Sequence, residues 1–84
     1  MYDVNKLPLD KLVTKDLDDS LENFIEIPAP YFIRDGHLYM DLETDVIVGD
    51  YYMGMFICPE IEKWAEANGG FWEWENPGCL MFVI

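Results

Sequence analysis

Between Tyr31 and Met40, apolar and polar residues alternate on either side of Asp35-Gly36. Successive side chains of a strand point to opposite faces, and an Asp-Gly pair between alternating segments suits a two-residue type I′ turn. The predicted register opposes Arg34 to His37, Ile33 to Leu38, Phe32 to Tyr39 and Tyr31 to Met40. One face collects Tyr31, Ile33, Leu38, Met40 and Leu42, which reads as core. The other collects Phe32, Arg34, His37, Tyr39 and Asp41. Carried forward, the alternation turns Leu42, Thr44, Val46 and Val48 inward and displays Asp41, Glu43 and Asp45. A second hairpin is expected at Gly49-Asp50, where glycine first suits a type II′ turn; it opposes Val48 to Tyr51, Ile47 to Tyr52, Val46 to Met53 and Glu43 to Phe56. An unbroken strand from His37 to Val48 would extend about 40 Å at ~3.3 Å per residue. That is long for a domain of ~12 Å radius of gyration, so a bulge or bend is expected between Glu43 and Asp45.

The flanks read differently. Leu9, Leu12, Val13 and Leu17 recur at helical spacing behind Pro8, whose fixed φ suits a first helical position, and they predict a short amphipathic helix. Residues 21–27 fit either another helical turn or an extended segment. Pro28-Ala29-Pro30 forces an extended link, since a residue before proline is pushed out of the α region. A second helix opens at Pro59, carries Ile61, Trp64 and Ala65 as its apolar stripe and ends at Asn68-Gly69-Gly70. FWEWE then alternates as a strand, Asn76-Pro77-Gly78 turns, and Leu80 to Ile84, apolar on both faces, reads as an interior strand. The expected core gathers Ile33, Leu38, Met40, Trp64, Met81 and Val83. The predicted fold is one α+β domain over residues 1–84, with two short helices and an antiparallel or mixed sheet of about five to six strands.

Composition fixes the scale of that core. The chain has 84 residues, 51% of them hydrophobic and 15% aromatic. This suits a single small domain, which buries only ~60 to 65% of the surface its unfolded chain exposes. The apolar content outweighs the disorder that a net charge of −12 would otherwise suggest. In residues 1–15 three lysines against two acids leave +1; in residues 16–84 Arg34 and Lys63 against fifteen acids leave −13. The acidity therefore belongs to the folded body. No apolar stretch approaches the ~20 residues that span a bilayer, and MYDVNKLPLDKLVTK lacks the apolar centre of a signal peptide, so a cytoplasmic protein is expected. Cys58 and Cys79 both lie in apolar surroundings and read as buried thiols. Cys58 precedes a helix start, however, where the dipole can lower a thiol pKa and make it reactive.

Catalytic chemistry leaves little trace in the sequence. Ser20 is the only serine and His37 the only histidine, so a serine triad would have to draw on both. Carboxylate pairs of the glycosidase kind abound, but so short a chain has little room for a sugar cleft beside a core. Asp41, Glu43 and Asp45 imitate the first ligand positions of a calcium loop; Val46 then stands where glycine is required and Tyr52 where glutamate is required. There is no phosphate-cradling glycine loop, and a surface of this sign repels nucleic acid. No enzyme, metal or cofactor is expected.

A charge of −12 exceeds the magnitude of ~2 to 8 that keeps a small domain soluble, and the excess destabilises the fold by self-repulsion. A basic partner is the natural counterpart, because opposed potentials speed encounter and fix orientation. In size, acidity, aromatic content and lack of catalytic residues the chain resembles small phage-encoded anti-defence proteins: anti-CRISPRs, uracil-DNA glycosylase inhibitors and restriction inhibitors, several of them DNA mimics. The resemblance lies in overall character and in no motif. It implies a non-enzymatic inhibitor that occupies the nucleic-acid site of a basic bacterial defence protein in the host cytoplasm. Asp41, Glu43, Asp45 and Asp50, then Glu73 and Glu75, would stand for phosphates, with Tyr52 and Phe56 as anchors. Alternatives are an immunity protein or antitoxin for a cationic nuclease, and an adaptor without nucleic-acid mimicry.

Overall fold

The computed structural model describes residues 2–18, 23–44 and 48–84. Its centre is a four-stranded antiparallel sheet in the order β3-β4-β8-β7, formed by Tyr31–Arg34 (β3), His37–Asp41 (β4), Phe71–Asn76 (β7) and Cys79–Val83 (β8). Two further antiparallel pairs stand beside it. Val13–Asp18 (β1) pairs with Asn23–Pro28 (β2), and the short Gly49–Asp50 (β5) pairs with Phe56–Ile57 (β6). One α-helix, Pro59–Ala67 (α1), joins β6 to β7. The described residues thus form an α+β fold with eight strands in three sheets and one α-helix, where the sequence predicted five to six strands and two helices.

The Asp35-Gly36 hairpin has the expected register throughout, from Arg34 opposite His37 to Tyr31 opposite Met40. Both turn residues take positive φ, 53° and 77°, as a type I′ turn requires. Helix α1 also follows its local signals: Pro59 lies in its first turn, Ile61, Trp64 and Ala65 are its buried stripe, and Gly69 follows the end with φ 77°.

Above one face of the sheet, Trp64 of α1 lies 5.2 Å from Phe82 and 6.0 Å from Trp72, ring centre to ring centre. Leu38, Met40 and Leu80 complete the buried layer. Both indoles satisfy their N–H groups: Trp72 Nε1 donates to Ile61 O at 2.8 Å and Trp64 Nε1 to Pro8 O at 3.1 Å. The second bond ties the N-terminal segment to the helix. Val4 and Leu12 from that segment join the same core, and the Tyr2 hydroxyl accepts the Leu38 N–H at 2.8 Å.

Several expectations are overturned. In place of the predicted helix from Leu9 to Leu17 stand one 3₁₀ turn, Leu9–Lys11, and strand β1; a second 3₁₀ turn, Val4–Lys6, precedes them. Leu12 and Thr14 are the buried pair, a spacing of two, and β-branched Val13 and Thr14 favour the extended form. Of the undecided segment 21–27, residues 23–27 belong to strand β2, and residues 21–22 lie outside the described residues. Gly49-Asp50 is not a turn: the two residues pair with Ile57 and Phe56 across a longer loop, in place of the predicted register. Strand β4 ends at Asp41 and the expected bend follows, at Glu43 and Thr44, but Thr44 is exposed rather than inward. Val46 and Ile47 lie outside the described residues, as does Asp45.

The core differs at three positions. Ile33 sits on the edge strand β3, beyond the cover of the helix, and is exposed; Met81 and Val83 face away from the core, which takes Leu80 and Phe82 instead. For β8 the cause is its register with β4, which sets Leu80 opposite Met40 and Met81 opposite Tyr39, and a bulge at Glu75 brings Trp72 and Trp74 of β7 onto the same face. Asn76 pairs with Cys79, and Trp74 with Leu80, so Glu75 has no partner and the register steps by one. Such a step exchanges the two faces of a strand.

Candidate functional site

The expected acids and aromatics converge, in part, where the β7–β8 turn meets the chain leaving β4. At the end of β4 the Asp41 Oδ1 accepts the Glu43 N–H at 2.8 Å, a local Asx turn that bends the backbone. Asp41 and Glu43 therefore do not stand on one straight strand face as the alternation predicted. Asp50, at the end of β5, repeats the device: its Oδ1 accepts the Tyr52 N–H at 3.0 Å. Both carboxylates shape backbone and still present charge.

Glu43 stands between two grooves. The first, about 400 Å³, is lined by Glu43 and Asp50, by Tyr51 and Tyr52, and by Pro77-Gly78 of the turn. The second, about 410 Å³, runs over the outer face of the sheet past Phe32, Arg34, Asp41 and Cys79. Gly78 leaves room for the Glu43 side chain, which a Cβ there would meet at 2.8–3.0 Å and turn aside. On the outer face Phe32 stacks on Tyr39 with ring centres 5.1 Å apart, and the Arg34 guanidinium lies 5.0 Å from the Tyr39 centre, a cation–π contact that leaves its charge beside the acids.

Tyr52 and Phe56 do not share a strand ladder. Tyr52 is 82% exposed in the loop between β5 and β6, and Phe56 is exposed in β6. Glu73 faces outward in the row Glu73–Met81–Tyr39–Phe32 that crosses all four strands. Glu75 is the exposed bulge residue. The site thus brings together Asp41, Glu43, Asp50 and Tyr52. Tyr51 also lines the first groove, and Met53 and Met55 are exposed in the same loop; YYMGMF signals it, since a glycine among five large apolar residues fits a loop better than a paired strand.

The cysteines are thiols. Burial raises the Cys58 pKa above its ordinary value; the Thr14 hydroxyl offsets part of the rise, and Glu60 and Glu62 add to it. The direction of this shift runs against the reactive reading of the thiol. Burial likewise raises Cys79, with Glu75 and Asp41 adding and Arg34 opposing. Among the described residues no three histidine, cysteine or carboxylate groups converge as a metal site, and no helix is long and apolar enough to cross a membrane. Compared with protein-family models, curated proteins and solved structures, the chain matches none of them.

Proposed function

We propose that the protein is a non-enzymatic inhibitor that occupies the basic nucleic-acid-binding site of a bacterial defence protein, its carboxylates standing for phosphates. The observation that carries this reading is the gathering of Asp41, Glu43 and Asp50 at one end of the sheet beside the exposed Tyr52. Two of these acids are held by backbone N–H groups, which fixes their direction and lowers the entropy lost when they meet cations. The net charge of −12 supplies the long-range field that steers such an encounter.

The test is binding to the partner at rising salt, with duplex DNA or guide RNA as competitor. Between about 0.05 and 0.5 M salt the Debye length shrinks toward a few ångströms, and both affinity and on-rate should fall. Nucleic acid should displace the protein. A complex indifferent to salt and to nucleic acid would replace this reading with that of an apolar adaptor.

A further inference from the structure

The loop between β5 and β6 has a property that charge mimicry does not require. Tyr52 and Met53 are 82% and 72% exposed, and Tyr51, Met55 and Phe56 are exposed as well. Five large exposed apolar side chains within one short loop of so acidic a chain suit a contact site better than a solvated face. The loop is also built. Met53 N donates to Asp50 O at 3.3 Å, Met55 N to Tyr51 O at 3.0 Å, and the Tyr51 ring packs edge-on against Trp74 at 5.3 Å. Gly54 and Met55 both hold positive φ, 68° and 58°, and for methionine that conformation costs free energy. Backbone bonds and strain are thus committed to holding apolar side chains outward.

We infer that Tyr51–Phe56 is an apolar plug, which enters a hydrophobic pocket rimmed by cations on the partner protein. The choice of occupant follows from charge. A second copy would bring two bodies of net −12 together at a point flanked by Glu43 and Asp50, and an anionic membrane surface would meet the same repulsion. A cationic protein meets none. Methionines suit such a pocket because their unbranched, polarisable side chains adapt to its shape, and the tyrosines supply anchor area. The inference rests on the inhibitor reading and adds a division of labour: the carboxylates set the rate of encounter, the plug the lifetime of the complex.

The probe is the heparin-binding fraction of a bacterial lysate, passed over the immobilised full chain, and the protein retained is purified for kinetics. Against it, M53S/M55S should leave the on-rate within about twofold and raise the off-rate about tenfold or more, with Tyr52→Ser shifting it the same way. E43Q/D50N should lower the on-rate and leave the off-rate nearly unchanged. An unchanged off-rate in both loop variants, each with the wild-type circular dichroism spectrum, overturns the plug and leaves the inhibitor reading standing. Loss of binding in the loop variants with indifference to E43Q/D50N and to salt overturns the inhibitor reading and the cationic rim. Retention of no protein overturns both. A dimer in sedimentation that M53S/M55S disperses, or flotation with phosphatidylethanolamine–phosphatidylglycerol vesicles that it abolishes, reassigns the plug to a second copy or to lipid and overturns the inference.

Discussion

Gly70 shows how single atoms set the packing of this fold. Its backbone φ is ordinary, but a Cβ would collide with the Val83 carbonyl oxygen and come within 2.7–2.8 Å of the Phe82 ring. Neither can retreat, since Phe82 is fully buried against Trp64 and Trp72. Gly70→Ala should therefore destabilise by about 1 to 3 kcal/mol, the range of overpacked cores, read as a lower urea midpoint. The thiols make a second residue-scale prediction. Burial raises both pKa values in the folded state, so above an unfolded thiol's value of ~8.5 the unfolded chain releases protons that the folded chain retains. That stability is full below the unfolded pKa and is lost as pH rises through the folded one. C58A/C79A should flatten the alkaline fall in melting temperature, and both thiols should react with iodoacetamide more slowly than a small exposed thiol at the same pH.

At the scale of elements, Gly36 separates backbone strain from packing. A Cβ there meets nothing within 4 Å, yet φ is 77°, so Gly36→Ala should cost about 1 kcal/mol through conformation alone, measured by the same denaturation. The hairpin was legible in the sequence for this reason: Asp35-Gly36 dictates the turn, and the turn dictates the register. Pro59 and Gly69 marked α1 in the same local way. What escaped depended on contacts distant in sequence. The spacing of Leu9, Leu12, Val13 and Leu17 fits a helix, but Val13 and Thr14 fit a strand, and pairing with Ile27 and Pro28 decides between them. In β8 an all-apolar run carries no periodicity, so its inward face is set by pairing with β4, which puts Leu80 opposite the buried Met40, and the bulge at Glu75 turns Trp72 and Trp74 to that same face. Gly49-Asp50 resembled a turn until the Cys58 N–H, bound to Val48 O at 2.9 Å, fixed β6 beside it. Of the site, the acids were legible as charges in a pattern. Their convergence was not: the bend after Asp41 and the turn at Pro77-Gly78 were each expected, but that they meet depends on pairing between segments far apart in the chain.

For the whole molecule, charge acts in opposite directions on folding and on binding. Fifteen acids against two cations in residues 16–84 repel one another in the folded body, and among the described residues Lys15–Glu60, at 3.7 Å and partly exposed, is the ion pair, one that contributes little. Converting Asp41, Glu43 and Asp50 to Asn, Gln and Asn removes three charges yet keeps the backbone geometry, because an Asn side-chain oxygen can still accept the Glu43 and Tyr52 N–H groups. The variant should therefore fold, with an unchanged or higher melting temperature. If these carboxylates face cations on a partner, its affinity should fall at least about tenfold, or ~1.4 kcal/mol, and the salt dependence of binding should flatten with it. Added salt should show the same opposition in the wild type, raising the melting temperature by screening self-repulsion while weakening the complex. Calorimetric titration of the triple variant against the partner at two salt concentrations, with a thermal melt of the same samples, reads all of these quantities. Wild-type affinity in a folded triple variant would move the contact away from this end of the sheet, toward Glu73 and the outer face.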